Sequence, residues 1–138
     1  GRLQQLYYKD RRFILDVAHN PAATQYLAQR LQSQNVSGRF IGIVAMMADK
    51  DREQSLLNLV DLVDYWSLAQ LTNNPRAASP LQLGSDLNAL GGEIFYSGDV
   101  ASCLGNIHSA TEEQDLILVF GSFFTVAEAL NVMSCNLS

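Results

Sequence analysis

Five times along this chain a short apolar run rich in β-branched residues is followed by a longer stretch whose apolar positions recur at helical spacing. Strands that alternate with helices over connections of a few residues must run parallel, because the intervening helix carries the chain back across the sheet. The pattern therefore predicts an α/β sheet with helices on both faces. Phe13-Ile14-Leu15-Asp16-Val17 reads as a buried strand, and Asn20-Pro21 supplies an N-cap and a first-turn proline for a helix through Leu27 and Leu31. Phe40 to Met46 is continuously apolar, as expected of a central strand covered on both sides.

Leu56, Leu59, Val60 and Val63 mark one face of the next helix, with Asp49 and Asp51 as capping candidates. A strand from Tyr65 to Leu71 follows. Ser79-Pro80-Leu81-Gln82 has the spacing of a capping box, Leu83, Leu87 and Leu90 form an apolar stripe, and Gly91-Gly92 closes that helix. A short strand through Ile94, Phe95 and Tyr96 leads to a helix carrying Val100, Leu104 and Ile107 on one side. Leu116 to Phe120 reads as the last strand, before a helix with Val126, Leu130 and Met133 inward. Leu3 to Tyr8 reads as an extra strand tied back by Lys9-Asp10-Arg11, which predicts one antiparallel pairing at an edge.

All 138 residues read as one domain, without repeat, low-complexity segment or linker. A net charge of -5, with two lysines and seven arginines dispersed along the chain, lacks the basic footprint of a nucleic-acid binder. No apolar run approaches the roughly 20 residues that a membrane span requires. Cys103 and Cys135 both fall in helical segments rather than in a disulfide framework, so a reduced, cytoplasmic protein is expected. Gly1 replaces an initiating methionine and no signal peptide follows it, so the chain is expected to be a piece of a longer one.

In open α/β sheets ligands gather beyond the carboxyl ends of the strands. Four segments put polar groups there: Asp16 to Pro21, Ala48 to Asp51, Thr72 to Arg76, and Gly121 to Thr125. Capping accounts for part of them, with Asn20, an aspartate, and a Thr125-Glu128 box as the expected caps. His19 beside Asp16, Lys50 between two aspartates and Arg76 after a proline turn remain over, and they suggest an anionic ligand bearing a hydrogen-bonding ring or sugar. Neither Gly-x-x-x-x-Gly-Lys-Ser/Thr nor Gly-x-Gly-x-x-Gly occurs, so this domain does not hold a nucleoside triphosphate alone in the usual way. No metal set is expected, since His19 and His108 lie far apart without ligand-spaced neighbours. Ser122 has no evident base partner, His108 is expected on a helix surface, and Tyr65, Trp66 and Met46-Met47 are expected to be packing residues.

The strings Leu15-Asp16-Val17-Ala18-His19-Asn20-Pro21, Met47-Ala48-Asp49-Lys50-Asp51, Pro75-Arg76-Ala77 and Val119-Phe120-Gly121-Ser122-Phe123 closely resemble the C-terminal domain of the folylpolyglutamate synthase/dihydrofolate synthase family, within the Mur ligase superfamily. The resemblance runs through the whole chain in order and spacing. It implies a Rossmann-like three-layer sandwich of about six strands. It also implies part of an ATP- and Mg2+-dependent amide ligase. There the carboxylate of dihydropteroate or a folate becomes an acyl phosphate, which the amino group of L-glutamate attacks. An N-terminal domain would carry the phosphate loop and the magnesium ligands, leaving this domain to close over ATP and help place glutamate in a monomer.

Carried over by position, the resemblance gives Arg2 and Asp16 to ATP, Asp16 contacting the nucleoside. It gives His19 to the organisation of the catalytic site, Ser122 to the folate or glutamate end, and Lys50 to an amino acid carboxylate. The physical fit is direct, because an acidic acceptor suits ribose hydroxyls and a lysine ammonium serves as a point charge. Phe124 stands where the family usually has histidine, and Ala45 where it commonly has glycine. A cell-wall Mur ligase domain and a non-catalytic α/β binding module are the competing expectations.

Overall fold

The computed structural model describes residues 3–49 and 51–137. In chain order these form β1 (Gln4–Tyr8), β2 (Arg11–Asp16), α1 (Pro21–Gln32), β3 (Phe40–Val44), α2 (Arg52–Val60), β4 (Tyr65–Gln70), α3 (Pro80–Ala89), β5 (Ile94–Asp99), α4 (Val100–Ala110), β6 (Leu116–Phe120) and α5 (Phe123–Leu137). The sheet order is β1-β2-β6-β3-β4-β5. Every neighbouring pair is parallel except β1 with β2. That antiparallel edge pair turns on Lys9 and Asp10, both at positive φ (48° and 62°), the backbone of a two-residue hairpin whose twist matches its strands.

Alternation along the strands divides the core into two layers. Ile14, Val44, Trp66, Leu68, Leu118 and Phe120 meet Leu27 and Leu31 of α1, Leu56 and Leu59 of α2, and Leu83 and Leu87 of α3 on one face. Phe13, Leu15, Ile41, Ile43, Ile117 and Val119 meet Val100, Leu104 and Ile107 of α4 and Val126 and Met133 of α5 on the other. All five residues of β6 are buried, as befits a strand packed on both sides. His108 is exposed on α4, whereas Trp66 and Met46 are core residues.

Local chemistry explains most boundaries. Asn20 Oδ1 accepts the Ala23 N–H at 2.8 Å, with Pro21 starting α1. Ser79 and Gln82 form the expected reciprocal box. Gly91 takes φ +85° and Gly92 N–H closes α3 on the Leu87 carbonyl at 2.8 Å. Before α5, two boundaries differ from expectation. Asp51 occupies the cap position of α2 without using its side chain, because Asp49 Oδ1 instead accepts the Asp51 N–H at 3.1 Å in a local turn. β5 runs on through Ser97-Gly98-Asp99, held by its pairing with Leu68 to Gln70.

At the amino ends of the strands a single carboxylate gathers the chain. Asp115 accepts from the Arg39 backbone (2.7 Å), the Arg39 guanidinium (2.9 Å) and the Glu112 backbone (2.9 Å). Burial of Asp115 opposes its charge, yet the Arg39 hydrogen bond and the two backbone N–H groups outweigh it and hold its carboxyl below the usual range.

Candidate active site at the strand ends

Residues Asp16, Phe120 and Val44 stand side by side in the parallel register, so β2, β6 and β3 end at one level. After β2 and β3 the chain passes to the face of α1 and α2, whereas after β6 it passes to the face of α5. Strand ends from which the chain diverges to opposite faces leave a crevice between them, the usual ligand position in such sheets.

Asp16 shares a face with Ile14 and is buried, at 4% exposure. Its Oδ1 accepts the Ala18 N–H at 2.8 Å, which aims the carboxylate back over the β2 end. Among the described residues Oδ2 accepts no hydrogen bond, leaving an acceptor for a ligand hydroxyl. His19 lies next to it on the same loop and is exposed, with Nδ1 3.2 Å from the Val17 carbonyl. A carbonyl only accepts, so this contact needs a proton on Nδ1.

The loops after β3 and β4 are clasped together. Met47 and Ala77 form an isolated antiparallel bridge, flanked by Ala48 N–H to the Arg76 carbonyl and Ala78 N–H to the Met46 carbonyl, each at 2.8 Å. The Met46-Ala48 and Arg76-Ala78 segments, distant in sequence, thus share one ledge. Arg76 is exposed there, on a turn shaped by Asn73 at φ +53° and by Asn74 Oδ1 accepting the Arg76 N–H. Lys50 and Arg2 lie outside the described residues.

The turn after β6 is tightly determined. Gly121 adopts φ +125°, and a Cβ there would run into the carbonyl of Ala45. Thr125 has one hydroxyl proton, and the Ala45 carbonyl 2.6 Å away can only accept it. In the 2.8 Å contact between the hydroxyls of Ser122 and Thr125, Ser122 is therefore the donor. Its Oγ in turn accepts the Thr125 N–H at 3.0 Å. Ser122 is buried and caps α5 with its hydroxyl engaged in both directions. The expected Thr125-Glu128 capping box is not formed, because the helix begins at Phe123 and its cap falls three residues earlier. Glu128 reaches away to accept from Thr72 N–H at 3.1 Å and Thr72 Oγ1 at 2.9 Å.

Two links here were beyond a reading of the sequence. One is Glu128 to Thr72, and the other is Asn58, whose amide donates to the Pro21 carbonyl and to Thr24 Oγ1 and so ties α2 to the start of α1. Only their separation of dozens of residues hides them. Among the described residues no three His, Cys, Asp or Glu side chains are grouped so as to hold a metal ion by themselves.

The family model described as Mur ligase, glutamate ligase domain matches residues 1–123. The chain belongs to that Mur ligase domain family. Dihydrofolate synthase/folylpolyglutamate synthase of Escherichia coli (strain K12) is 37% identical to this Mur ligase domain over 139 residues, covering 100% of the chain and 31% of its own length. The protein of the same name from Buchnera aphidicola subsp. Schizaphis graminum is 32% identical over 138 residues, with 100% and 32% covered. Among solved structures, E. coli FolC in complex with DHPP and ADP superposes with a TM-score of 0.86 at 34% identity, over 100% of this chain and 32% of that one. A bifunctional folylpolyglutamate synthase/dihydrofolate synthase with Mn, AMPPNP and L-glutamate bound gives 0.83 at 36% identity, over 97% and 31%. The chain spans about a third of the length of the curated relatives it matches.

Proposed function

We propose that this Mur ligase domain is the C-terminal part of an ATP-dependent ligase that joins L-glutamate to dihydropteroate, to folates, or to both. The observation that carries the reading is the buried Asp16 carboxylate with an available oxygen at the mouth of the crevice, in a chain matched end to end by folate ligases. Asp16 accepts from the ribose hydroxyls of ATP, with Arg2 contacting the same nucleotide. His19, fixed by its Val17 contact, organises the reacting groups from the adjacent loop. Lys50, which the resemblance gives to an amino acid carboxylate, holds the glutamate carboxylate as a point charge.

The resemblance gives Ser122 to the folate or glutamate end. Its engaged hydroxyl supports a role in shaping that end of the crevice through the α5 turn. ATP, when bound, supplies the phosphoryl group that makes the acceptor carboxylate an acyl phosphate open to attack by the glutamate amine. Magnesium and the phosphate loop belong to an N-terminal domain in this reading. The working enzyme is a cytoplasmic monomer in this reading.

The test is Asp16→Ala in the full-length protein, beside His108→Ala on the outer face of α4. Asp16→Ala raises KM for ATP at least roughly tenfold, the scale of losing a hydrogen bond to a charged group, and His108→Ala leaves it unchanged. Equal, negligible effects would remove Asp16 from the nucleotide site.

A further inference from the structure

Phe123 and Phe124 open α5 with 68% and 54% of their surfaces exposed. Their rings meet edge to face, centroids 6.0 Å apart, and neither residue belongs to either layer of the core. The first turn of a helix favours polar and acidic residues, so the fold itself does not call for these two. Adjacent exposed rings form a continuous apolar surface, which marks a place of interaction where scattered single residues do not. The pair is also held still, because Ser122 caps the turn and Thr125 bonds the Ala45 carbonyl just beyond β3. Phe120, at the end of β6, pairs with Asp16, so the two rings stand on the rim of the crevice.

We propose that Phe123 and Phe124 are the apolar anchor on which the N-terminal domain of the same protein seats beside the crevice. The choice of occupant rests on the ligase reading above. This chain has no Gly-rich phosphate loop, so the phosphates of a nucleotide that meets Asp16 must be held by another part of the protein facing the same strand ends. The chain spans about a third of the length of its curated relatives, which leaves ample length for that part. The turn Phe123 to Val126 carries no charged side chain, so the contact is made by apolar burial and is insensitive to salt. Such an anchor fixes the two halves of the site relative to each other and therefore acts on every substrate alike.

The experiment is hydroxyl-radical footprinting of the full-length protein, with ATP and without any folate acceptor, each ring being compared with its own oxidation rate in the unfolded chain. Both rings are oxidised at a small fraction of the unfolded rate. The Phe123→Ser/Phe124→Ser double variant lowers kcat/KM for ATP, L-glutamate and the folate acceptor together by roughly tenfold or more, the scale of losing one buried apolar side chain. Phe124→Leu keeps the apolar contact and most of the activity. Rings oxidised at the unfolded rate overturn the anchor, as does a double variant with unchanged kcat/KM. Protection that appears only when the acceptor is added also overturns it, by making the pair a surface for the substrate ring. A wild-type protein that protects both rings but joins no glutamate overturns the ligase reading and leaves the anchor standing.

Discussion

Gly121 and Ala45 meet backbone to backbone where β6 and β3 end, with no room between them for a side chain on Gly121. This contact lets the chain leave β6 toward α5 while β3 continues toward α2, and so opens the crevice beside Asp16. Its φ of +125° adds a second requirement for glycine.

Gly121→Ala therefore destabilises the chain by more than the roughly 1–3 kcal/mol of backbone strain alone, because the Ala45 carbonyl must also move. Gly91→Ala carries only the conformational strain of about 1–2 kcal/mol, since nothing lies within 4 Å of a Cβ there. Urea denaturation of the two variants ranks them, and equal midpoints would show that the Ala45 contact is relieved without cost.

Asp115 makes stability depend on acid. Its carboxyl is held below the ordinary range when folded, so its contribution is complete above the unfolded pKa of about 4 and disappears as pH falls through the lower folded value. Asp115→Asn should cost about 1.5–3 kcal/mol at pH 7, the scale of a hydrogen bond to a charged group, and progressively less below pH 4. Unfolding free energies at pH 7 and pH 3 check the sign, and a penalty that grows with acid would contradict it.

Burial pushes the Cys103 thiol up, and its Sγ lies 3.5 Å from the Leu68 carbonyl beneath α4. Thiolate is the reactive form, so Cys103 resists alkylation in the native chain and reacts once the chain unfolds. Peptide mapping after iodoacetamide treatment with and without urea tests this, native labelling at Cys103 being the contrary result.

Much of this architecture is legible in the sequence because it is written locally. The continuous apolar runs announce β3 and β6, and Asn20-Pro21 and Ser79 to Gln82 announce helix starts with side chains that bond within three residues. The lead-in from Leu3 likewise forms the antiparallel edge. The site is less legible because its order comes from distant pairs. Thr125 and Glu128 have the spacing of a capping box, but the left-handed Gly121 starts α5 early and frees Glu128 for a threonine 56 residues away. Ser97-Gly98-Asp99 has little intrinsic preference for a strand, and only the adjacent β4 ladder makes it one. Ser122 looks like an available hydroxyl until the one-way Thr125 to Ala45 bond fixes where its proton points.

The ligase assignment also separates two chemistries within one superfamily. Full-length protein offered dihydropteroate or a muramyl peptide, with ATP and each amino acid substrate, should consume ATP only with the pterin acceptor or a folate. Turnover with the muramyl peptide instead would move the substrate to the cell wall while leaving the proposed nucleotide roles of Asp16 and Arg2 untouched.

The most direct measurement is incorporation of radiolabelled L-glutamate into dihydropteroate or a folate by the full-length protein, with and without ATP. The account predicts ATP-dependent labelled product, sharply reduced at subsaturating ATP by Asp16→Ala. No incorporation with any folate acceptor, from protein that is folded and binds ATP, would contradict it.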